Sequence, residues 1–454
     1  MAKKNGITIS DALIPKDDYP YDVPNNWCWV KLGAISSIIS KGTTPKGGKS
    51  AYVDEGIDFL RVENINDDGT ICHDNMMHVT EETHTGFLKR SMLEENDVLV
   101  SIAGTLGKTA IVKKDDLPLN TNQAVAFVRL ADNGEISRDF IRYAIDTPVI
   151  QNMLLAKTKV TAIPNLTLEI ISDCLIPLPP LAEQKRIVEQ IENLFSKLDE
   201  AKEKVQSVVD SKEFTITSLL YQAFDGKLTN SWRKANNIIN VWEDTTIGEL
   251  FSHSAGKALK KDNTEGMLHR YITTSNLYWG RFELTEVREM YYRDNELDKC
   301  TATKGDLLIC NGGDVGRAAV WDFDYDICLQ NHVSRLRKKK DNVDVRFFYY
   351  YFMLAKRKGE VNGTGIGISS LSAKSIAEMH VKLPSVEEQT AISDILDKLI
   401  LEQNNACTVS ENIAEQIELM KKSILAKAFR GELGTNNPEE ESSIALLKEM
   451  LEKN

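Results

Sequence analysis

LPPLAEQKRIVEQIENLF at residues 178–195 and LPSVEEQTAISDILDKLI at 383–400 are one stretch written twice, 205 residues apart. At the same offset AFDGKL (223–228) returns as AFRGEL (428–433). Between these marks the apolar residues Ile187, Ile191, Leu194, Leu198, Ala201, Val205 and Val208 step by four and three, the spacing of a helix seam. The second copy places Ile392, Leu396, Leu399, Gln403, Ala406, Ser410, Ile413, Ile417, Met420 and Ile424 on the same steps. Pro180 and Pro384 stand where a helix starts, and Gly226 and Gly431 where one ends. Helices of about 40 residues span roughly 60 Å, too long for a 150-residue globule. The reading is therefore an antiparallel coiled coil of the two helices, preferred over each helix packing into its own domain. Gln403 and Ser410, polar where Leu198 and Val205 stand in the first copy, either set the register or mark tolerated weak spots.

Working outward, the parts before the helices also repeat. Trp27 with Leu32-Gly33 recurs as Trp242 with Ile247-Gly248, FLRVENI (59–65) as YITTSNL (271–277), and NDVLVSIAGTLGKTAIV (96–112) as GDLLICNGGDVGRAAVW (305–321). Asn122-Gln123 answers to Gln330-Asn331, and DFIRYAI (139–145) to RFFYYYF (346–352). The offset drifts from 215 to 205 and then holds, so a variable front part precedes a back part of constant length. DVLVSI, TAIVKK and AVAFVRL read as strands between Gly, Asn and Asp turns, while SRDFIRYAI and VRFFYYYF read as helices. The expected fold is α+β, or mixed: two α/β domains separated by two long helices, with an internal pseudo-two-fold repeat.

A chain of 454 residues has room for two to four domains, and 42% hydrophobic with 27% charged residues is ordinary for a soluble protein. No run approaches the roughly 18 apolar residues that cross a bilayer, and MAKKNGITIS lacks the apolar centre of a signal peptide. Cysteines 28, 72, 174, 300, 310, 328 and 407 make no CxxC pair, which points to reduced thiols and a cytoplasmic location. Cys72, His73, His78 and His84 match no ligand spacing, so no metal is expected. The net charge of −12 divides as −6 over 1–180, −2 over 181–229, +3 over 230–385 and −7 over 386–454. Phosphate binding depends on a local basic face, so this balance does not exclude DNA.

Catalytic motifs are missing. AGTLGKTA (103–110) has Ile102 where a phosphate loop needs its first glycine, and the second copy replaces Lys108 with Arg317; a hairpin turn fits better. LPPL (178–181) lacks the polar residue and the aromatic of an adenine methyltransferase, and neither HEXXH nor GxSxG occurs. No catalytic residue and no cofactor is expected.

Taken together, LPPLAEQKRI (178–187), LPSVEEQTAI (383–392), AFDGKLTNSWR (223–233), ILAKAFRGEL (424–433), TAIPNL (161–166) and the D-x-L-x-S-x-x-G-T-x-G-K run at Asp97–Lys108 make nearly the whole chain resemble the specificity subunit of type I restriction–modification systems. The second copy departs at GGDVGR (312–317) and VNGTGIGISS (361–370). The resemblance implies a first target-recognition domain at 1–180, a central spacer helix at 181–228, a second recognition domain at 229–385, a C-terminal spacer helix at 386–433 and an acidic tail at 434–454. It further implies that each recognition domain reads one half of a bipartite site in double-stranded DNA. The helices would set the gap and dock two modification (methyltransferase) subunits, which two ATP-dependent restriction subunits join. The chain itself would carry no chemistry. The alternative is a single-chain methyltransferase or nuclease with fused recognition domains; a coiled-coil scaffold without DNA is a further rival.

Candidate DNA contacts are polar, basic and glycine-rich. In the first copy these are Lys41, Lys46, Lys49, Lys157 and Lys159 for phosphates, with Lys108, Asn122, Gln123 and Asn165. In the second they are Lys257, Lys260, Lys261, Lys356, Arg357 and Lys358, with Arg317, Gln330, Asn331 and His332. RLRKKK (335–340) is either a phosphate patch or an exposed strand end.

Overall fold

The run Val98-Leu99-Val100-Ser101 is buried on both faces, which places it at the centre of a covered sheet. The structure is a computed structural model describing residues 8–131, 136–158, 164–239, 241–259, 264–361 and 371–452. Among the described residues of the first copy the strands are β1 Cys28–Lys31, β2 Ser36–Lys41, β3 Ile57–Leu60, β4 Met77–Val79, β5 Val98–Ser101, β6 Thr109–Ile111, β7 Leu119–Thr121, β8 Val125–Leu130 and β9 Leu175–Leu178. They pair as β2-β8-β5-β6, β4-β3-β7 and β1-β9, antiparallel except for β3 with β7. Helix α1 is Arg138–Asp146, and α2 is Leu181–Asp210.

The second copy repeats this plan. After helix α3, Lys212–Phe224, come β10 Glu243–Thr246, β11 Phe251–Ala255, β12 Met267–Ile272, β13 Leu277–Tyr278, β14 Arg281–Phe282, β15 Arg288–Tyr292, β16 Thr301–Ala302, β17 Leu307–Cys310, β18 Ala318–Val320, β19 Ile327–Leu329, β20 Val333–Lys338 and β21 His380–Leu383. The sheets are β11-β20-β17-β18, β15-β12-β19-β16 and β10-β21, with the parallel pair again at the matched place, β12 with β19. The β13-β14 hairpin and β16 are additions. Helix α4 is Val345–Arg357, α5 is Val386–Ala428, and α6 is Ser443–Glu452.

Alternation along the central strands divides each copy into two cores. Val98 and Val100 face a core with Phe140 and Ile141 of α1, whereas Leu99 faces a smaller one with Leu60 and Leu119. Likewise Leu307 and Ile309 face Phe347 and Phe348 of α4, and Leu308 with Cys310 face Ile272 and Trp321.

The chain forms two compact units, Met1–Lys204 with Ile413–Asn454, and Val205–Asn412. Each long helix therefore contributes one end to each unit. In the first, Ile187 and Ile191 from the start of α2 share a core with Leu425, Ala428 and Phe429 from the end of α5. In the second, Ile392 and Leu396 from the start of α5 share one with Ile216, Leu220 and Ala223 of α3. The repeated Ala-Phe pair explains itself here: Phe429 lies 4.9 Å from Phe140, and Phe224 lies 4.9 Å from Phe347.

The glycines that follow end their helices as the sequence predicts. Gly226 (φ +72°) and Gly431 (φ +74°) are left-handed. Lys227 N reaches Gln222 O at 2.9 Å and Glu432 N reaches Lys427 O at 2.9 Å, the paired closure of a Schellman turn. Within the first unit the helices run antiparallel, with Lys202 Nζ 2.6 Å from Glu418 and Lys421 paired with Asp199. In the second unit Cys407 Sγ approaches Val208 O at 3.8 Å.

Two expectations about the helices need correction. The first long helix is interrupted at Ser211, although Ser211 N still bonds Ser207 O at 3.1 Å. In α5 the four-three walk holds at Ser410, Ile417 and Ile424, but Ile413 is 40% and Met420 51% exposed, and Cys407, Ala414 and Lys421 are covered instead. Leu399, Gln403 and Cys407 insert one extra step of four, the local eleven-residue spacing that keeps a nearly straight helix turned to its partner.

Residues 434–452, expected as a tail, pack on the first unit. Leu447 and Met450 of α6 are buried with Cys28 and Val30, and Ser443 N bonds Asn26 O at 2.9 Å. This cover explains why β1 is buried on both faces whereas its counterpart β10, Glu243-Asp244-Thr245-Thr246, is polar and open. No helix among the described residues is long and apolar enough to cross a membrane.

Candidate nucleic-acid interface

Gly42 shows how the first site is assembled. A Cβ there would stand 2.1 Å from the carbonyl oxygens of both Thr121 and Asn122, so only glycine lets the end of β2 lie on the 121–124 turn. Gly42 N bonds Val125 O at 3.0 Å, and Thr43 N bonds Thr121 O at 3.0 Å. The second unit repeats the joint: a Cβ on Gly256 would meet Leu329 O at 2.1 Å, Gly256 N bonds Val333 O at 3.1 Å, and Lys257 N bonds Leu329 O at 2.8 Å.

In the first unit this joint gathers Lys41, Thr43, Thr44, Asn122 and Gln123. Lys41, Lys46 and Lys49 are exposed, with Lys46 5.6 Å from the centre of the half-exposed Phe87 ring. Asn122 Oδ1 accepts from Ala124 N at 3.0 Å, and exposed Gln123 accepts the Thr44 hydroxyl proton. Arg90, which the sequence reading missed, reaches Thr43 Oγ1 at 3.5 Å. Only the fold brings it here, from 47 residues away. Lys157 is exposed at the end of the Pro148–Ala156 helix. Asn165 is exposed beside Leu166, whose N–H ties it to Ile102 O at 3.0 Å. Lys159 lies outside the described residues.

In the second unit Gln330, Asn331 and His332 form the matching turn, with His332 exposed. Gln330 Nε2 donates to Asn331 Oδ1 at 2.6 Å, and Gln330 Oε1 accepts from His332 N at 3.2 Å. Lys358 is exposed, 3.6 Å from Glu360. Lys260 and Lys261 lie outside the described residues, as does most of 361–370.

Five basic candidates point into the protein. Lys108 Nζ meets Ile65 O at 3.1 Å and Asp67 at 2.7 Å, pinning the hairpin after β5. Its counterpart Arg317 makes the same reach to Thr274 O at 2.6 Å and stacks 5.0 Å from the Tyr278 ring. Lys257 is held by Glu296 at 2.6 Å and Tyr291 O at 2.9 Å, Lys356 by Val315 O at 2.6 Å, and Arg357 by Glu213 at 2.8 Å. In the basic run 335–340, Arg335 is buried on Asp298 O at 2.9 Å and Arg337 forks onto Asp306 at 2.7 and 2.9 Å. The equivalent pair in the first unit is Arg129 with Asp97, both bonds 2.8 Å. Burial pushes the Asp97 carboxyl up and Arg129 opposes it. That buried pair is why aspartate opens the D-x-L motif in both copies.

The Glu-Gln pair at each helix start is a joint. Gln184 Oε1 accepts from Ser137 N at 3.1 Å and its amide donates to Pro179 O at 3.1 Å. Gln389 repeats this with Asp344 N at 2.9 Å and Pro384 O at 2.9 Å. Ser137 and Asp344 cap α1 and α4, so each glutamine locks a long helix to a domain helix. Glu183 accepts from Trp27 Nε1 at 2.8 Å and Asn436 Nδ2 at 2.9 Å. Glu388 accepts from Thr229 Oγ1 at 2.7 Å and pairs with buried Arg233. The recurrence of EQ at one offset was the available signal for these roles. Among the described residues no group of three or more His, Cys, Asp or Glu side chains is arranged to hold a metal ion.

Comparison with known proteins bears on this arrangement. The type I restriction modification DNA specificity domain matches twice, at residues 24–209 and 240–418. The chain is 30% identical over 246 residues to the EcoBI specificity subunit of Escherichia coli, covering 53% of this chain and 50% of that one. It is 24% identical to the EcoKI specificity subunit of Escherichia coli strain K12, over 94% of this chain and 95% of that one. In fold it is similar to the HsdS subunit from Thermoanaerobacter tengcongensis, with TM-score 0.62, 20% identity, and 91% and 99% of the two chains covered. A chain solved in work on complex assembly and conformational transition of the type I R-M system gives TM-score 0.69 at 20% identity, covering 91% of this chain and all of that one. Two matched copies of the domain, filling most of the sequence and folding into two matched units, lead to one statement: this chain belongs to the type I restriction–modification DNA specificity family.

Proposed function

We propose that each unit reads one half of a two-part DNA site and that the chain directs a methyltransferase and restriction assembly without chemistry of its own. The observation carrying this is the duplicated joint, in which a glycine with no room for a side chain seats a polar turn, 121–124 in one unit and 329–332 in the other. Exposed Lys41, Lys46, Lys49 and Lys157 in the first unit, and Lys358 in the second, supply phosphate contacts. The exposed Leu419 and Met420 on α5 support a docking role for that helix toward a modification subunit. Seven free cysteines suit a reducing compartment, the cytoplasm. Exchanging residues 25–180 for the equivalent part of a relative tests the reading by methylation mapping in a strain supplying both partner subunits. One half of the methylated site should change and the other remain. If both halves changed together, independent reading would be wrong.

A further inference from the structure

The two turns share a detail finer than their position. In the first, the oxygen of the Gln123 amide is occupied by the Thr44 hydroxyl, and its NH2 group has no protein partner among the described residues. In the second, the His332 N–H fixes the oxygen of Gln330, so the Gln330 NH2 must point to the oxygen of Asn331. That leaves the Asn331 NH2 as the end of the chain, again with no protein partner among the described residues. Gln123 and Asn331 are the same position of the repeat, one residue after Asn122 and Gln330. Each turn thus presents one side-chain amide whose oxygen is tied down and whose NH2 has no protein partner among the described residues, although different neighbours do the tying.

A freely turning amide offers donor or acceptor equally and discriminates poorly between bases. A tied one presents a donor. Base edges in the major groove differ in this respect: purine N7, guanine O6 and thymine O4 accept, cytosine N4 and adenine N6 donate, and cytosine alone offers no acceptor there. We propose that Gln123 and Asn331 each donate a hydrogen bond to an acceptor on a base edge, one in each half-site, and so reject cytosine at that position. This rests on the reading of each unit as a DNA half-site reader. The glycine joint supports it mechanically, because a turn wedged on Gly42 or Gly256 holds its amide still relative to the sheet.

The test uses the full chain with its modification subunits and a pool of duplexes carrying randomised positions. The retained duplexes are sequenced. The unaltered chain should enrich two short motifs separated by a gap. Gln123→Glu exchanges the donor for an acceptor of the same shape, so one position in one motif should shift toward the bases that donate, cytosine or adenine, roughly tenfold, with the other motif untouched. Asn331→Asp should do the same in the other motif alone. Thr44→Val, which frees the Gln123 amide, should keep the preferred base but blur it. Motifs unchanged in both acidic variants, whether binding stays equal or weakens evenly on all duplexes, would overturn the proposal. Should an acidic variant retain no duplex, the enriched duplex with 7-deazapurines in that half decides: several-fold weaker binding of the unaltered chain supports an N7 contact, and full binding by that duplex and by one without guanine O6 or thymine O4 there overturns it. An unaltered chain that enriches no motif would sink the half-site reading itself, a result distinct from either.

Discussion

At the scale of single residues, the second unit is open to damage at Arg233, whose guanidinium is buried on Glu388, Thr229 Oγ1 (2.8 Å) and Gly226 O (2.5 Å). Removing one partner of such a pair leaves an uncompensated buried charge, so Arg233→Met should cost about 3–5 kcal/mol in urea unfolding. The double variant with Glu388→Gln should recover part of that. His73 gives a pH dependence. Its Nδ1 is 2.8 Å from Asp58 and its Nε2 2.9 Å from Asp116, with His78 also 3.0 Å from Asp58. A neutral imidazole donates once, so both bonds need the protonated ring, and Asp116 and then Asp58 hold its pKa above the ordinary value. A raised folded value means the stabilisation is complete below about pH 6.5, the unfolded value, and is lost as pH rises through the folded one. The ring is 42% exposed, so the effect is modest. The thermal midpoint of the first unit should fall slightly over that range, and His73→Gln should flatten the profile. A variant with an unchanged slope would assign the dependence elsewhere. The sequence showed His73 as part of a cluster without ligand spacing; its actual partners come from β3 and from the 114–116 turn.

Among the elements, the ends of the long helices carry the most information. Gly226 and Gly431 share a left-handed φ, so either change to alanine costs about 1 kcal/mol in backbone strain. Their surroundings differ: a Cβ at 431 would meet Pro24 Cγ at 2.4 Å, whereas at 226 the nearest atom is 3.5 Å away. Gly431→Ala should therefore destabilise more than Gly226→Ala, read as denaturation midpoints. Phe429→Ala should cost about 3–5 kcal/mol, and hydrogen exchange should locate the loss in α1 and the first unit, not in the second. Protection lost chiefly around α4 would contradict the crossed packing. The helices, their glycine ends and the Glu-Gln starts were legible as a repeat. The crossing was not, because a phenylalanine at a helix end reads the same whichever core receives it. In the stripe of α5 Ile413 and Met420 were misjudged, since a strict heptad count ignores the slow drift of a straight helix.

For the whole molecule, the composition of the first unit alters how a domain exchange should be built. Residues 25–180 rest on Phe429, Leu447 and Met450, so a chimaera should fold better when 424–452 is exchanged with them. Expression and thermal midpoint of the two chimaeras compare directly, and equal behaviour would mean these contacts are generic. If the helices set the gap between half-sites, four residues inserted near Gln206 add about 6 Å of helix. At about 3.4 Å per base pair, the gap in the methylated site should grow by one or two while both half-sites stay the same. A fixed gap would remove the helices from that role.

By itself the sequence determined the duplication, the α/β character of each front part, the two long helices with their proline starts and glycine ends, and the absence of catalytic motifs. These are local or periodic properties, written in spacing and residue type. Only the tertiary structure decided which basic side chains face inward. Lys108, Lys257, Arg317, Lys356 and Arg357 look like any surface cation in sequence, yet each meets a carbonyl or carboxylate supplied by a distant segment. It also decided that Thr44 meets Gln123 across 79 residues, and that the C-terminal helix closes the N-terminal domain. The physical reason is the same in each case: a hydrogen bond or a buried face is a property of two surfaces, and chain spacing records only one of them.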